Sequence, residues 1–197
     1  SLTSGVVGKY SHTVRMPLGV AGLIVPANTP IANIAWKIFP ALICGNTVVL
    51  KASEDSPEVA LIMAGLAKKA GLPDGSLNVV QGTGLNAGNP LVESDKVQVI
   101  SFTGSTDVGK SIASTVGKRM GRVSLELGGK NPLVVCDDSD IENAIHWSIL
   151  SAFSNAGQRC ASGSKILIFD EIYDEFSQKL VEQTSLLKLG IKDQCDL

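Results

Sequence analysis

The chain has 197 residues, 44% of them hydrophobic, and a formal net charge of −2. That size suits one large domain or two small ones, and a charge balance without a basic block argues against a nucleic-acid partner. No apolar run reaches the roughly 20 residues of a membrane span, and the first ten residues, SLTSGVVGKY, lack the charged-then-apolar order of a signal peptide.

In chain order, VAGLIVP (20–26) is a short apolar run closed by proline and reads as a buried strand. PIANIAWKIFPALICG (30–45) is apolar at helical spacing and stops at glycine; Pro40 inside it predicts a kink or a break. TVVLKAS is the next strand. SPEVALIMAGLAKKAG follows as a helix, with Ser56 as its cap, Pro57 at the first helical position, and lysines and Gly71 at its end. SLNVVQG and VQVISFTG are further strands, and STDVGKSIASTVGKRMG is the helix after the second. Beyond RVSLELGG the rhythm restarts with strand NPLVVCDD, a helix over SDIENAIHWSILSAFSNAG capped at Ser139 or Asp140, strand SKILIFD and helix YDEFSQKLVEQTSLLK. Strands alternating with helices of this length predict an α/β fold: a parallel sheet with helices on both faces. Two glycines and a proline make LGGKNP (127–132) the expected boundary between domains at 1–128 and 129–197.

Few residues are placed to carry chemistry. In FTGSTDVGK a strand ends at Phe102 and Thr103, and Gly104 and Gly109 bracket a helix start, where free N–H groups and the helix dipole favour an anion. The same pattern also fits a plain strand–helix turn. QGTGLNAG, which holds Gly84, reads as a loop. Lys51 and Glu54 lie past the end of a strand, where α/β proteins bind ligands and an acid can accept from ribose hydroxyls; a solvated loop is the alternative. Glu126 stands in the apolar SLELGG, either as an enclosed carboxylate suited to general-base work or on the exposed face of an edge strand.

The chain has four cysteines and no C-x-x-C pair, which argues against zinc ribbons and disulfide exchange and points to a reducing, cytoplasmic setting. His12 and His146 share no ligand spacing and read as surface or packed imidazoles, so no metal site is expected. Cys44 and Cys136 sit in apolar runs and read as buried thiols. Cys160, in FSNAGQRCASGS, follows a helix among Gly, Gln, Arg, Ala and Ser, a setting for an exposed nucleophilic thiol.

Taken in order, these stretches resemble the aldehyde dehydrogenase superfamily from about Val14 onward. VPANTP is similar to its P-x-N-x-P turn, VVLKASE to its K-P-S-E segment, FTGSTDVG to its F-T-G-S-T-x-x-G loop, LELGGKNP to its glutamate motif and FSNAGQRC to its F-x-x-x-G-Q-x-C motif. The resemblance implies a Rossmann-like cofactor domain followed by the first βαβα part of a second α/β, catalytic domain. It implies NAD, or NADP, as cofactor, a small aldehyde as substrate, and homo-oligomers among full-length members. Cys160 would be the nucleophile, Asn28 an oxyanion donor, Glu126 the base that activates water, and Lys37 a proton-relay residue. The cofactor would meet Val25, Pro26, Ala27, Asn28, Lys51, Ser53, Glu54, Gly84, Phe102, Thr103, Gly104, Ser105, Val108, Glu126, Leu127, Gly128 and Cys160. Among them Lys51 and Glu54 would hold the adenosine ribose, and Ser105 with its loop would sit at the pyrophosphate.

The departures from the family pattern are Ala27 and Thr29 where aromatics are common, and Ala52 for the proline after Lys51. Thr29 implies a wider or more polar substrate tunnel and leaves the substrate open, and Glu54 favours NAD over NADP by crowding a 2′-phosphate. The expected function is oxidation of an aldehyde to a carboxylate through a cysteine thiohemiacetal and thioester. The alternatives are the branch that passes the acyl group to coenzyme A, against which Glu126 argues, and a non-catalytic nucleotide-binding fragment. Family members run to more than twice this length, so the chain is expected to be a central fragment with poor activity alone.

Overall fold

Runs of Val, Leu and Ile five or six residues long, bounded by Gly, Pro, Asn or Ser, are too short for stable helices and pair as strands. In the computed structural model, which describes residues 5–190 and 195–196, the chain divides after Glu126 into two units. The first holds β1 (Val20–Ile24), α1 (Pro30–Ile43), β2 (Thr47–Lys51), α2 (Pro57–Lys69), β3 (Leu77–Val80), α3 (Asn89–Glu93), β4 (Val99–Gly104), α4 (Thr106–Lys118) and all but the last residue of β5 (Arg122–Leu127). Its sheet runs in the order β3-β2-β1-β4-β5. The β1–β2, β2–β3 and β1–β4 pairs are parallel, with Leu23 opposite Leu50 on one side and Ser101 on the other.

Alternate residues of each strand serve opposite faces. Ala21, Leu23, Val48 and Leu50 pack with Ile34 and Ile38 of α1 and Ala60 of α2. Burying one such Leu or Ile contributes about 1.5–3 kcal/mol. The opposite face carries Gly22 and Ile100 beneath Leu91 and Val97. The chain steps from β1 to β2 to β3 on one side and then returns to β4 on the other. This is the expected Rossmann-like α/β sheet with helices on both faces.

Three local expectations are corrected. Helix α1 continues through Pro40 to Ile43. The proline lies in the last turn, so its missing N–H costs one bond next to an end that would fray anyway. Ser56 precedes α2 but makes no side-chain cap; its hydroxyl is buried without a partner. QGTGLNAG is helical in its second half: Gly84–Gly88 form a wide π turn that runs into α3. Thr83 starts it by accepting from the N–H of Asn86 at 3.2 Å, and burial of Leu91 and Val92 holds it down.

The second unit contains β6 (Asn131–Val135), α5 (Ile141–Phe153), β7 (Gly163–Ile168) and α6 (Tyr173–Ser185). The strands are parallel, and Val135, Ile145 and Phe176 form a small core. Asp140 caps α5 by accepting from the N–H of Asn143 at 3.1 Å; Ser139 instead accepts from the N–H of Cys136. Lys179 of α6 bridges Glu142 of α5 at 2.7 Å.

A side chain at Gly22 has no room: a Cβ would stand 2.7 Å from the Ile100 methyl, 3.0 Å from Val97 and 3.1 Å from Leu91. Gly22→Val should therefore destabilise the first unit by about 1–3 kcal/mol, the usual cost of overpacking. Urea denaturation followed by circular dichroism would show this as a lower midpoint with an unchanged slope.

Candidate active site

Strand order reverses between β1 and β4, because the connections on the two sides of β1 run over opposite faces. In open parallel sheets such a reversal leaves a crevice beyond the carboxyl ends of the strands. Here that crevice has a volume of about 410 Å³. It brings together Val25, Pro26, Lys51, Ser53, Glu54, Gly84, Phe102, Thr103, Gly104, Ser105 and Val108, eleven of the residues expected to meet a cofactor.

Two charges mark one part of it. Lys51 ends β2, is 4% exposed, and its ammonium donates to Glu54 at 2.8 Å. The ammonium beside it holds the Glu54 carboxyl below the usual carboxylate range. Glu54 is itself half exposed, so it keeps acceptor capacity toward the crevice. The other part is the start of α4. Ser105 caps it by accepting from the N–H of Val108, and the free N–H groups of the first turn favour an anion. Gly104 is required there because a Cβ would run into the ring of Phe102. A bare backbone beside a helix start, an acid near a strand end and apolar walls together suit a phosphorylated nucleoside.

Asn28, Lys37 and Glu126 lie outside that crevice. Asn28 and Ala27 are half-buried between β1 and α1. Asn28 accepts through Oδ1 from Asn33, at 3.4 Å, and Asn33 also donates to the Thr29 hydroxyl at 2.7 Å. Lys37 of α1 is buried and donates to the Ser101 hydroxyl at 2.7 Å. Burial lowers its pKa, and the charge of Glu126 acts in the other direction. Glu126 is exposed on β5, the strand at the edge of the sheet. Of the two sequence readings of this residue, the edge-strand one describes its surroundings.

Cys160, with Leu127 and Gly128, belongs to the second unit. Cys160 is exposed, in a turn between α5 and β7. The chain leaves α5 through Asn155, Ala156 and Gly157, all left-handed, at φ 56°, 53° and 70°. Left-handed backbone costs a non-glycine residue about 1–2 kcal/mol, so this exit is strained at two positions. Downstream, Ser162 donates its N–H to the carbonyl of Arg159 at 3.1 Å. The side chain of Asn131 donates to the carbonyls of Cys160 and Ser162.

Across residues 2–197 the sequence matches the model of the aldehyde dehydrogenase family. The chain belongs to that family. It is 48% identical over 174 residues to phenylacetaldehyde dehydrogenase of Pseudomonas fluorescens, covering 88% of this chain and 35% of that one. Among solved structures it resembles betaine aldehyde dehydrogenase of Staphylococcus aureus in complex with NAD+, at TM-score 0.88 and 35% identity over 91% of this chain and 36% of that one. It also resembles an NADP-dependent enzyme of E. coli, at TM-score 0.85 and 38% identity over 92% and 39%. The chain thus spans a little over a third of the length of the relatives it matches.

For this aldehyde dehydrogenase chain both buried-thiol expectations are corrected. Cys136 is only partly buried, one residue past the end of β6 and its buried Val135. Cys44 is exposed. The core contacts of α1 end at Ala41 and Leu42, and the chain turns back at Gly45, φ 81°, leaving Cys44 in the turn. Sequence reading also missed crevice residues. Ser111, Ile112 and Thr115 extend the line of Val108 along α4, a helical stripe legible from its spacing. Asn89 and Glu93 come from α3, a short helix that the sequence reading did not assign. Ser101 and Asn131 carried no signal, since only tertiary placement gives them partners.

The lowered pKa of Lys37 has a measurable consequence. The unfolded chain keeps this proton up to about the ordinary 10.5, whereas the folded chain releases it earlier. Between the lowered value and 10.5 the unfolded state binds more protons, so stability rises with pH there. Lys37→Met removes this contribution. Urea midpoints at pH 7.5 and pH 10 should show the wild type gaining on the variant as pH rises.

Proposed function

We propose that this chain carries the cofactor crevice and the nucleophile of an NAD(P)-dependent enzyme that oxidises an aldehyde to a carboxylate. The observation that carries the proposal is the crevice at the strand-order reversal, with the Lys51–Glu54 pair at one part and the capped start of α4 at the other. Family membership and the NAD+ held by a solved relative support the same reading.

In this reading Glu54, steadied by Lys51, accepts from the adenosine ribose, and Gly104 with the first turn of α4 receives the pyrophosphate. A cofactor so held supplies an acceptor for hydride. The Cys160 thiolate attacks the aldehyde carbon, forming a C–S bond and pushing the carbonyl electron pair onto oxygen. Asn28, with the Cys160 N–H, donates to that oxyanion. The carbon gives up its hydrogen as hydride and the C=O bond re-forms as a thioester. Glu126 takes a proton from water, which attacks the thioester; the C–S bond breaks, releasing acid and thiol. Exposure of Glu126 leaves it within reach of water.

Two outcomes test the proposal, in the full-length enzyme that carries this chain. Glu126→Gln should keep the first burst of NADH and slow turnover by roughly 10²- to 10⁴-fold, the weight of a general base. A lost burst would assign Glu126 to an earlier step. Glu54→Gln should shrink the preference for NAD over NADP by about tenfold, the order expected when a hydrogen bond to a charged group is lost. An unmoved ratio of kcat/KM values would remove Glu54 from the ribose.

A further inference from the structure

Asn131 opens β6, and Pro132 follows it. A residue before proline is restricted to extended backbone, so Asn131 has little freedom of its own. The register of β6 on β7 slips at this point: Asn131 pairs with Gly163, but Pro132 pairs with Lys165, leaving Ser164 as an extra residue in β7. Such a bulge bends a strand and re-aims its neighbours. Here it brings two carbonyls, those of Cys160 and Ser162, onto one side-chain amide. An Asn Nδ2 has two hydrogens, and Asn131 directs one toward each carbonyl. The following N–H, of Gly163, donates to the Ser151 hydroxyl at 3.1 Å.

We infer that Asn131 is a positioning residue for Cys160. The inference rests on the reading of Cys160 as the nucleophile. Holding the carbonyl of Cys160 fixes the peptide plane that follows its Cα, and so restrains where the Cα that bears the thiol side chain sits. The turn needs that restraint, because it leaves α5 through the strained backbone of Asn155 and Ala156. A side chain from another strand, 29 residues away in sequence, supplies it. Attack on a carbonyl is sensitive to such placement, since a shift of about 1 Å can cost roughly 10²-fold in rate.

Three substitutions separate the donor from its bulk. Asn131→Asp keeps the shape but faces two carbonyls with a carboxylate, Asn131→Ser keeps one donor, and Asn131→Ala keeps none. In the full-length enzyme, with phenylacetaldehyde as the probe and NADH followed by stopped flow, the burst rate should fall about 10- to 100-fold for Asp and Ala and less for Ser. The KM for NAD should not move. In the chain of residues 1–197, amide hydrogen exchange over 158–163 should quicken in the same variants while that of β1 and β2 stays the same. Cys160→Ser checks the underlying reading, because it should remove the burst altogether. A burst that survives Cys160→Ser overturns the nucleophile. A burst lost in Cys160→Ser but intact in Asn131→Asp and Asn131→Ala overturns the positioning role alone, as does unchanged exchange in every Asn131 variant. If the Ala variant does not fold, the isosteric Asp variant and the exchange measurement decide.

Discussion

Parallel pairing on both sides of β1 is the constraint from which the first unit follows. Parallel neighbours cannot be joined by a hairpin, so each connection crosses over a face of the sheet. Crossovers of one hand, taken left and then right from β1, must cover opposite faces. The helices then diverge above the β1–β4 junction, and the crevice is what they leave open. Its floor depends on small residues. Gly22 lets Ile100 and Leu91 close over β1, and Gly104 leaves room for the Phe102 ring.

The two buried lysines of this unit are held by partners rather than left to solvent. Lys51 is almost fully buried, which is costly for an ammonium unless it is paired. Glu54 pairs with it from three residues on, so one ion pair both satisfies Lys51 and orients a carboxylate at the crevice. Lys37 is handled differently: a neutral hydroxyl, that of Ser101, receives it, and burial lowers its pKa. The two lysines are thus buried against different partners, one a carboxylate and the other a hydroxyl.

The second unit is built around a turn. Its core of Val135, Ile145 and Phe176 is small, and the turn that bears Cys160 lies on a strained exit from α5. The turn keeps its shape through bonds to Asn131, Ser151 and Arg159. Exposure keeps the thiol reachable, and the hydrogen bonds act on the backbone, so access and order are separately provided.

The order of strands and helices was legible in the sequence because apolar runs, prolines and glycines are local signals. The helix over 57–69 and the α/β rhythm needed nothing more. The motifs with Cys160, Glu126 and Lys51 stood out for the same reason: polar residues at the ends of apolar runs. Tertiary structure alone decided the rest. Whether Glu126 was enclosed depended on β5 being an edge, and whether Cys44 was buried depended on where α1 leaves the sheet. Neither is a property of neighbouring residues. Thr83 and the buried Leu91 and Val92 turned a glycine-rich stretch into helix. Ser101 and Asn131 are unremarkable in sequence, and their partners lie 64 and 29 residues away. Local pattern reports what a segment can form, whereas a hydrogen bond between distant segments exists only once packing has brought them together.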